Sequence, residues 1–382
     1  MLGTPPRKHF HSKINRLTIK LNNRLLVNSK RKRESNMKTK SYAAMNAGAS
    51  LVPYVFERRE VGDHDVALKI SHAGICHSDI HPVAEEWGPA IFPMVPGHEI
   101  AGVVTSTGSK VTKFKVGDGI GVGVYIDSCR TCSSCKAGLQ QYCLNGMVGT
   151  YNGMEGDGKT VAMGGYSDVF VINEDYALKI PSNLDLRGVA PLLCAGITLY
   201  SPIKHWKTAP GMNVAIMGLG GLGHMGVKFA SAMGAHVTVL SHSPSKKADA
   251  LAMGAHDFVA TNDPENLKQY EKKFDLILNT ISAEIVIDDY LKLLKLDGTL
   301  VVIGLPGRPY KVNVGTLLNG RRRIAGSMIG GIPEIQEMLD FCGKNNILSE
   351  VEVINADYIN EAYKRTVASD VKYRFVIDAS TF

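Results

Sequence analysis

Seven cysteines stand among the 382 residues, and the spacing of four of them points to metal chemistry. Cys129, Cys132, Cys135 and Cys143 form a C-x2-C-x2-C-x7-C run in a stretch rich in Ser, Gly and Lys, where cysteine cannot serve as core filler. Four thiolates this close can complete a tetrahedral shell around Zn2+. No Pro follows the last Cys, as it does in bacterial runs that hold iron–sulfur clusters. A shell built from four protein ligands has no open position, so a zinc ion there staples a loop and performs no chemistry.

A second set is dispersed. Gly74-Ile75-Cys76-His77-Ser78-Asp79-Ile80-His81, Gly97-His98-Glu99 and Leu193-Cys194-Ala195-Gly196 supply two thiolates and an imidazole. Singly, Cys76 or Cys194 reads as a small buried residue. Together with His98 they make a Cys2His set that leaves one tetrahedral position for water or substrate, as catalytic zinc requires. Two zinc ions per chain are therefore expected. Cys342 recurs at helical spacing with Ile335, Met338 and Leu339 and reads as core.

Gly218-Leu219-Gly220-Gly221-Leu222-Gly223 follows the apolar stretch Val214 to Met217 and precedes a helical pattern from Met225 to Met233. In that context the run is a dinucleotide fingerprint. Gly218 permits the tight turn, Gly220 lets backbone approach a pyrophosphate, and Gly223 allows close packing of helix on strand, with Gly221 and Leu222 completing the turn at the helix N-terminus. An NAD site usually places Asp or Glu at the end of the second strand to bind the ribose 2′-hydroxyl. Here Leu240 is followed by Ser241-His242-Ser243-Pro244-Ser245-Lys246-Lys247. Ser241, Ser243 and Lys246 suit a 2′-phosphate instead, so NADP(H) is expected.

The elements that must carry these groups divide in two. From Met37 to about residue 190, short alternating segments such as Val66, Leu68 and Ile70 are punctuated by Gly-rich turns, a β-rich pattern. Between 191 and 332, six strands beginning near Val214, Val237, Phe258, Asp275, Leu300 and Ile324 alternate with helical stretches, which predicts a doubly wound parallel sheet. Residues 333–382 start with a helix opened by Pro333, end in a strand from Tyr373 to Ile377, and are expected to rejoin the β-rich unit.

Charge is uneven. Residues 1–36 hold ten Lys/Arg and one acid, Glu34, whereas the remaining 33 basic and 35 acidic residues leave the body slightly acidic, with no footprint for nucleic acid. No apolar run approaches the roughly 20 residues that cross a bilayer. The extension is expected to lie outside the enzyme body. It admits three readings: an amphipathic transit peptide with Ile14, Leu17, Leu21 and Leu25 on one face, residues upstream of a start at Met37, or a basic interaction tail. Without a secretory core, the cysteines imply a reducing, cytoplasmic setting, organelle targeting remaining open.

From Lys38 to the C-terminus the sequence resembles the cinnamyl alcohol dehydrogenase and bacterial aldehyde reductase branch of the zinc-dependent medium-chain alcohol dehydrogenases. The matching stretches are Gly74 to Asp79, Pro96-Gly97-His98-Glu99, the four-cysteine loop, Pro191-Leu192-Leu193-Cys194-Ala195-Gly196-Ile197-Thr198 and Tyr373-Arg374-Phe375-Val376-Ile377-Asp378. The resemblance implies an α/β chain, a GroES-like catalytic domain (37–190 and 333–382) joined to a Rossmann NADP-binding domain (191–332). It implies catalytic zinc on Cys76, His98 and Cys194, with Glu99 as an alternating ligand, and reversible hydride transfer between a primary alcohol or aldehyde and the nicotinamide in a homodimer or homotetramer. Ser78 would hydrogen-bond the substrate oxygen and pass its proton, by way of the cofactor ribose, to His81. Asp79 would orient His98, Thr198 would lie beside the nicotinamide, and His77 and Arg374 would contact pyrophosphate.

Ala73 stands where many relatives have Cys, a position that is not a ligand. Trp87 matches a substrate-pocket position, and core packing is the competing reading. Two other functions remain as alternatives: an NAD-linked polyol dehydrogenase, against which the missing acid after Leu240 argues, and a zinc-stabilised binding protein without catalysis, against which every retained ligand argues.

Overall fold

The computed structural model describes residues 37–382. The three readings of the basic extension lie outside the described residues.

The chain begins with an antiparallel pair, β1 (Met37–Ala43) and β2 (Val52–Arg58). It continues through β3 (Asp65–Gly74), β4 (Ile100–Thr107) and β5 (Gly119–Val122), then the short pair β6 (Tyr125–Ser128) and β7 (Met147–Gly149), then β8 (Val169–Asn173) and β9 (Leu178–Lys179). Six further strands follow: β10 (Asn213–Met217), β11 (His236–Ser241), β12 (Asp257–Ala260), β13 (Phe274–Asn279), β14 (Leu294–Val302) and β15 (Arg323–Gly326). The last two are β16 (Val351–Ile354) and β17 (Arg374–Asp378).

β10 to β15 form one parallel sheet in the order β12-β11-β10-β13-β14-β15, a doubly wound arrangement whose order reverses beside β10. Ligands of such sheets bind in the crevice at that switch point, beyond the carboxyl ends of the strands. The other large sheet runs β16-β17-β3-β4-β5-β9, with β8 also paired to β3, so the C-terminal strands return to the β-rich half. β3 departs from simple alternation. Ala67 is as buried as Val66 and Leu68, so both faces of β3 are covered at these positions, and its edges are paired with β4, β8 and β17.

Five helices matter for the site: α1 (His77–Val83), α2 (Ala195–His205), α3 (Gly223–Ala232), α4 (Ile332–Asn345) and α5 (Ile359–Val367). α4 has Pro333 in its first turn, where a missing N–H costs nothing, and buries Ile335, Met338, Leu339 and Cys342. It closes on Asn346 in the left-handed region. One continuous apolar core joins β3 to β5 with residues 189–203 and with β10, β11 and α3. The segment Leu186–Leu193 and α2 meet at a sharp bend, Gly188 to Ile203 are buried, and among the described residues no single helix is long and apolar enough to cross a membrane. Cys194 sits at that bend.

Candidate active site

β3 ends at Gly74 and α1 starts within three residues, with Cys76 as its N-cap. The third helical residue, Asp79, returns a bond to the cap: its Oδ2 accepts from the Cys76 N–H at 3.0 Å. Asp79 is fully buried and has three further donors, the Gly97 N–H at 3.1 Å, His98 Nδ1 at 2.8 Å and the Tyr166 hydroxyl at 3.0 Å. A neutral imidazole that donates from Nδ1 must present a lone pair at Nε2. His98 Nε2 is buried and has no hydrogen-bond partner.

That nitrogen shares a cluster with Cys76, Glu99 and Cys194, whose ligand atoms all lie within 4.8 Å of one another. The Cys76 and Cys194 sulfurs are 3.9 Å apart. This is far beyond the roughly 2.05 Å of a disulfide. Two thiolates at roughly 2.3 Å from a tetrahedral zinc stand roughly 3.8 Å from each other. Contact with Cys194 pushes the Cys76 thiol well below its usual range, while Cys76 and burial push Cys194 well above it. A divalent cation between the two sulfurs would favour the thiolate form of both. Burial opposes charge on His98, but Asp79 and then Cys76 outweigh it and raise the imidazole well above its ordinary value, so a metal at Nε2 would take the place of a proton there.

Glu99 is fully buried. Its Oε1 is paired with Arg374 Nη2, while its Oε2 has no partner. Burial pushes its carboxyl up to about 7 against the pull of Arg374. An imidazole nitrogen and a carboxylate oxygen, both buried and unpartnered beside two sulfurs, fit a zinc ion.

Cys129, Cys132, Cys135 and Cys143 come together in the loop between β6 and β7. The sulfurs of Cys129 and Cys135 are 3.9 Å apart. Backbone N–H groups of Cys132 and Cys129 point at the sulfurs of Cys129 and Cys143 at 3.4 Å, and that of Leu144 points at Cys132 at 3.5 Å. Such donors support thiolate charge, the surroundings that a metal-bound sulfur needs. All seven cysteines are free thiols.

The glycine turn lies between β10 and α3. Gly218 has φ +86°, which a side chain rarely adopts, and a methyl at Gly223 would fall 2.0 Å from the Gly218 carbonyl oxygen. Gly220, by contrast, faces open space: a methyl there would meet nothing within 4 Å. These features fit a pyrophosphate cradle. Arg374 flanks the turn: a methyl at Gly221 would lie 2.8 Å from its Nη1. One guanidinium therefore touches both the glycine turn and Glu99. At the end of β11, Ser241 is buried and its Oγ accepts from the Ser243 N–H at 3.3 Å. Lys246 Nζ reaches back to the Leu219 carbonyl at 2.9 Å, placing its ammonium beside the turn.

The remaining residues line the approach. Thr198 is buried one turn beyond Cys194 on α2, its N–H bonded to the Cys194 carbonyl at 3.0 Å. Ser78 is half-buried on α1, and His81 follows one turn later with 29% of its side chain exposed. The exposed His77 stacks on His81 with ring centroids 5.0 Å apart, and His81 stacks on Trp87 at 4.6 Å. Trp87 is 53% exposed, which overturns core packing: it follows the end of α1 in a surface turn and covers His81.

Sequence reasoning missed Tyr166, Tyr151, Glu86 and His224. Tyr166 supports Asp79 from 87 residues away, and the Tyr151 ring lies 6.0 Å from that of His98. Glu86 bonds His81 Nδ1. The Tyr166, Tyr151 and Ser349 contacts form only when separate segments pack, so no local pattern marks them; Glu86 is only five residues from His81, but no motif singles it out.

Residues 62–182 match the family described as the alcohol dehydrogenase GroES-like domain, and residues 221–344 match zinc-binding dehydrogenase. The chain is 58% identical over 342 residues to NADP-dependent alcohol dehydrogenase C 1 of Mycolicibacterium smegmatis, covering 89% of this chain and 98% of that protein. A cinnamyl alcohol dehydrogenase from Sorghum bicolor superposes with a TM-score of 0.87 at 44% identity, covering 90% of this chain and 98% of the other. The CAD of Helicobacter pylori complexed with NADP(H) gives 0.84 at 42% identity, covering 90% and 99%. With two cysteine-containing clusters, a glycine turn at the switch point of a parallel sheet, and relatives that match along nearly their whole length, the chain belongs to the zinc-dependent medium-chain alcohol dehydrogenases.

Proposed function

We propose that the protein is a zinc-dependent, NADP(H)-using oxidoreductase that interconverts primary alcohols and aldehydes, of aromatic or broad range, with aldehyde reduction favoured in the cell. The observation that carries the reading is Arg374, which spans from the glycine turn to Glu99 and so places the dinucleotide cradle within one side chain of the Cys76–His98–Cys194 cluster. When bound, zinc supplies Lewis-acid polarisation of the substrate oxygen and the dinucleotide exchanges the hydride.

The chain's own groups do the rest. Cys76, His98 and Cys194 hold the catalytic metal, Glu99 stands ready as an alternating ligand, and the four-cysteine loop holds the structural one. Asp79 keeps the Nδ1 proton of His98 in place, which leaves Nε2 free to ligate. Ser78 is the hydroxyl that meets the substrate oxygen, and His81, with 29% of its side chain exposed, takes the proton outward. Thr198, His77 and Arg374 position the dinucleotide, and Ser241, Ser243 and Lys246 receive its 2′-phosphate. In this reading residues 37–190 and 333–382 form the catalytic unit and 191–332 the cofactor unit, in a homodimer or homotetramer. The free thiols suit a reducing, cytoplasmic setting.

An assay of NADPH oxidation with benzaldehyde, with elemental analysis of the same sample, tests the proposal. Turnover with two zinc equivalents per chain is the expected result; full activity with one equivalent or fewer would overturn the two-site reading. Replacing Asp79 by Asn should weaken retention of one zinc equivalent about 10- to 100-fold in competition with a chelator, because the ring loses its fixed tautomer.

A further inference from the structure

His224 is the first residue after the Gly218–Gly223 run and is fully buried, yet it lies outside the proton path and both cysteine clusters. Its Nδ1 is 3.2 Å from the Gly220 carbonyl and its Nε2 is 3.0 Å from Ser349 Oγ. A carbonyl only accepts, so Nδ1 carries the proton and Nε2 accepts from the Ser349 hydroxyl. Burial first, then the nearby charges of Lys228 and Arg374, push the imidazole down to about 3, so it is neutral throughout the physiological range. The ring also stacks on Tyr373, with centroids 5.3 Å apart and planes within 13°.

Two consequences follow from these contacts. A trans peptide sets the carbonyl of one residue opposite the N–H of the next. The Gly220 oxygen is held from the α3 side by His224 N at 3.1 Å as well as by Nδ1, which turns the Gly221 N–H the other way, outward from the helix N-terminus where an anion would bind. Meanwhile Ser349 and Tyr373 belong to two stretches that are themselves joined, since the N–H groups of Tyr373 and Arg374 both reach the Glu350 carbonyl at 3.1 and 3.2 Å. By gripping Ser349 on one side and Tyr373 on the other, His224 sets Arg374 in register with Gly221.

We propose that His224 is a positioning residue of the dinucleotide site, which orients the Gly220–Gly221 peptide toward the pyrophosphate and locks Arg374 against the same turn. The inference rests on the NADP(H) reading above. It concerns the pyrophosphate and not the 2′-phosphate, and that difference supplies its test.

Dissociation constants for NADPH and for adenosine 2′-phosphate, which lacks a pyrophosphate, are measured by titration calorimetry on the zinc-loaded protein and on His224→Phe, His224→Asn and His224→Gln. His224→Phe keeps a ring against Tyr373 but neither hydrogen bond. It should weaken NADPH about tenfold, the equivalent of one net hydrogen bond, while adenosine 2′-phosphate stays within about twofold and both zinc equivalents remain. An Asn amide can take the place of Nδ1 and keep the bond to Gly220, so His224→Asn should recover the larger part of the affinity. His224→Gln reaches toward Ser349 instead, supports only the Arg374 side and should recover less. Unchanged NADPH affinity in His224→Phe, equal loss of both ligands, or an Asn variant no better than Gln would each overturn the inference alone. Failure of the unmodified protein to bind NADPH would overturn the dinucleotide reading and the inference with it.

Discussion

Replacing Cys194 by Ser should abolish turnover while the protein stays folded and keeps one zinc equivalent. Cys194 lies at the bend between two buried helical segments, and its neighbours there, Leu193 and Ala195, are fully buried hydrophobic residues that the substitution leaves in place. Ser is close in volume, so packing changes little. The hydroxyl, however, is a poor zinc ligand at neutral pH, and the remaining Cys76 and His98 cannot complete the site. Loss of a Lewis acid worth several kcal/mol at the transition state corresponds to a fall in kcat/KM on the order of 10^3-fold or more.

Cys135→Ser supplies the contrast. Its sulfur lies in the β6–β7 loop, 3.1 Å from Ser128 Oγ and 3.9 Å from Cys129. Its loss should release the other zinc and lower the thermal midpoint, with turnover falling only as far as the fold does. Elemental analysis, melting curves and kinetics on the two variants separate these outcomes. Retention of two zinc equivalents and ordinary turnover in Cys194→Ser would remove Cys194 from the catalytic set.

Cofactor preference should turn on position 241. The unmodified enzyme is expected to favour NADPH over NADH by more than one charge-assisted hydrogen bond, each contributing roughly 1.5 to 3 kcal/mol, or about ten- to a hundredfold. Ser241 closes β11 at 5% exposure, and Lys246 stands near enough to reach the Leu219 carbonyl, so a 2′-phosphate arriving there meets a hydroxyl and an ammonium. Ser241→Asp adds like-charge repulsion toward the phosphate and supplies the acceptor that an unphosphorylated ribose uses. Preference should move toward NADH, mainly through weaker NADPH binding, with aldehyde turnover at saturating NADH preserved. Equal catalytic efficiency with both cofactors in the unmodified enzyme would refute the assignment of this turn to the 2′-phosphate.

Most of what could be read from residue order shares one property: the partners are close in the chain. C-x2-C-x2-C brings Cys129, Cys132 and Cys135 within reach of one ion almost whatever surrounds them, and the turn from Gly218 to Gly223 is six consecutive residues between a strand and a helix. The six strands of the parallel sheet and the helix opened by Pro333 were equally legible, because hydrophobic period is a local signal. The absence of an acid after Leu240 was informative for the same reason. The dispersed Cys76, His98 and Cys194 were reached through flanking motifs, and the two sulfurs that meet at 3.9 Å are 118 positions apart.

Only the tertiary structure decided how those groups are supported. Asp79 could be expected beside His98, but its further bonds to Tyr166 and Gly97 arise where α1, the approach to β4 and the segment leading into β8 converge. Arg374 was expected at a pyrophosphate; that it is also the partner of Glu99, 275 residues away, depends on β17 pairing with β3. His224, which residue order does not single out, is a buried link between the glycine turn and Ser349. Trp87, equally suited by type to core or pocket, is exposed because the chain turns outward after α1. Residue type and spacing determine which atoms can ligate, donate or accept. Which of them meet is set by long-range packing, in which most buried polar groups find a partner that can come from anywhere in the chain, and two atoms left without one, His98 Nε2 and Glu99 Oε2, mark the metal site.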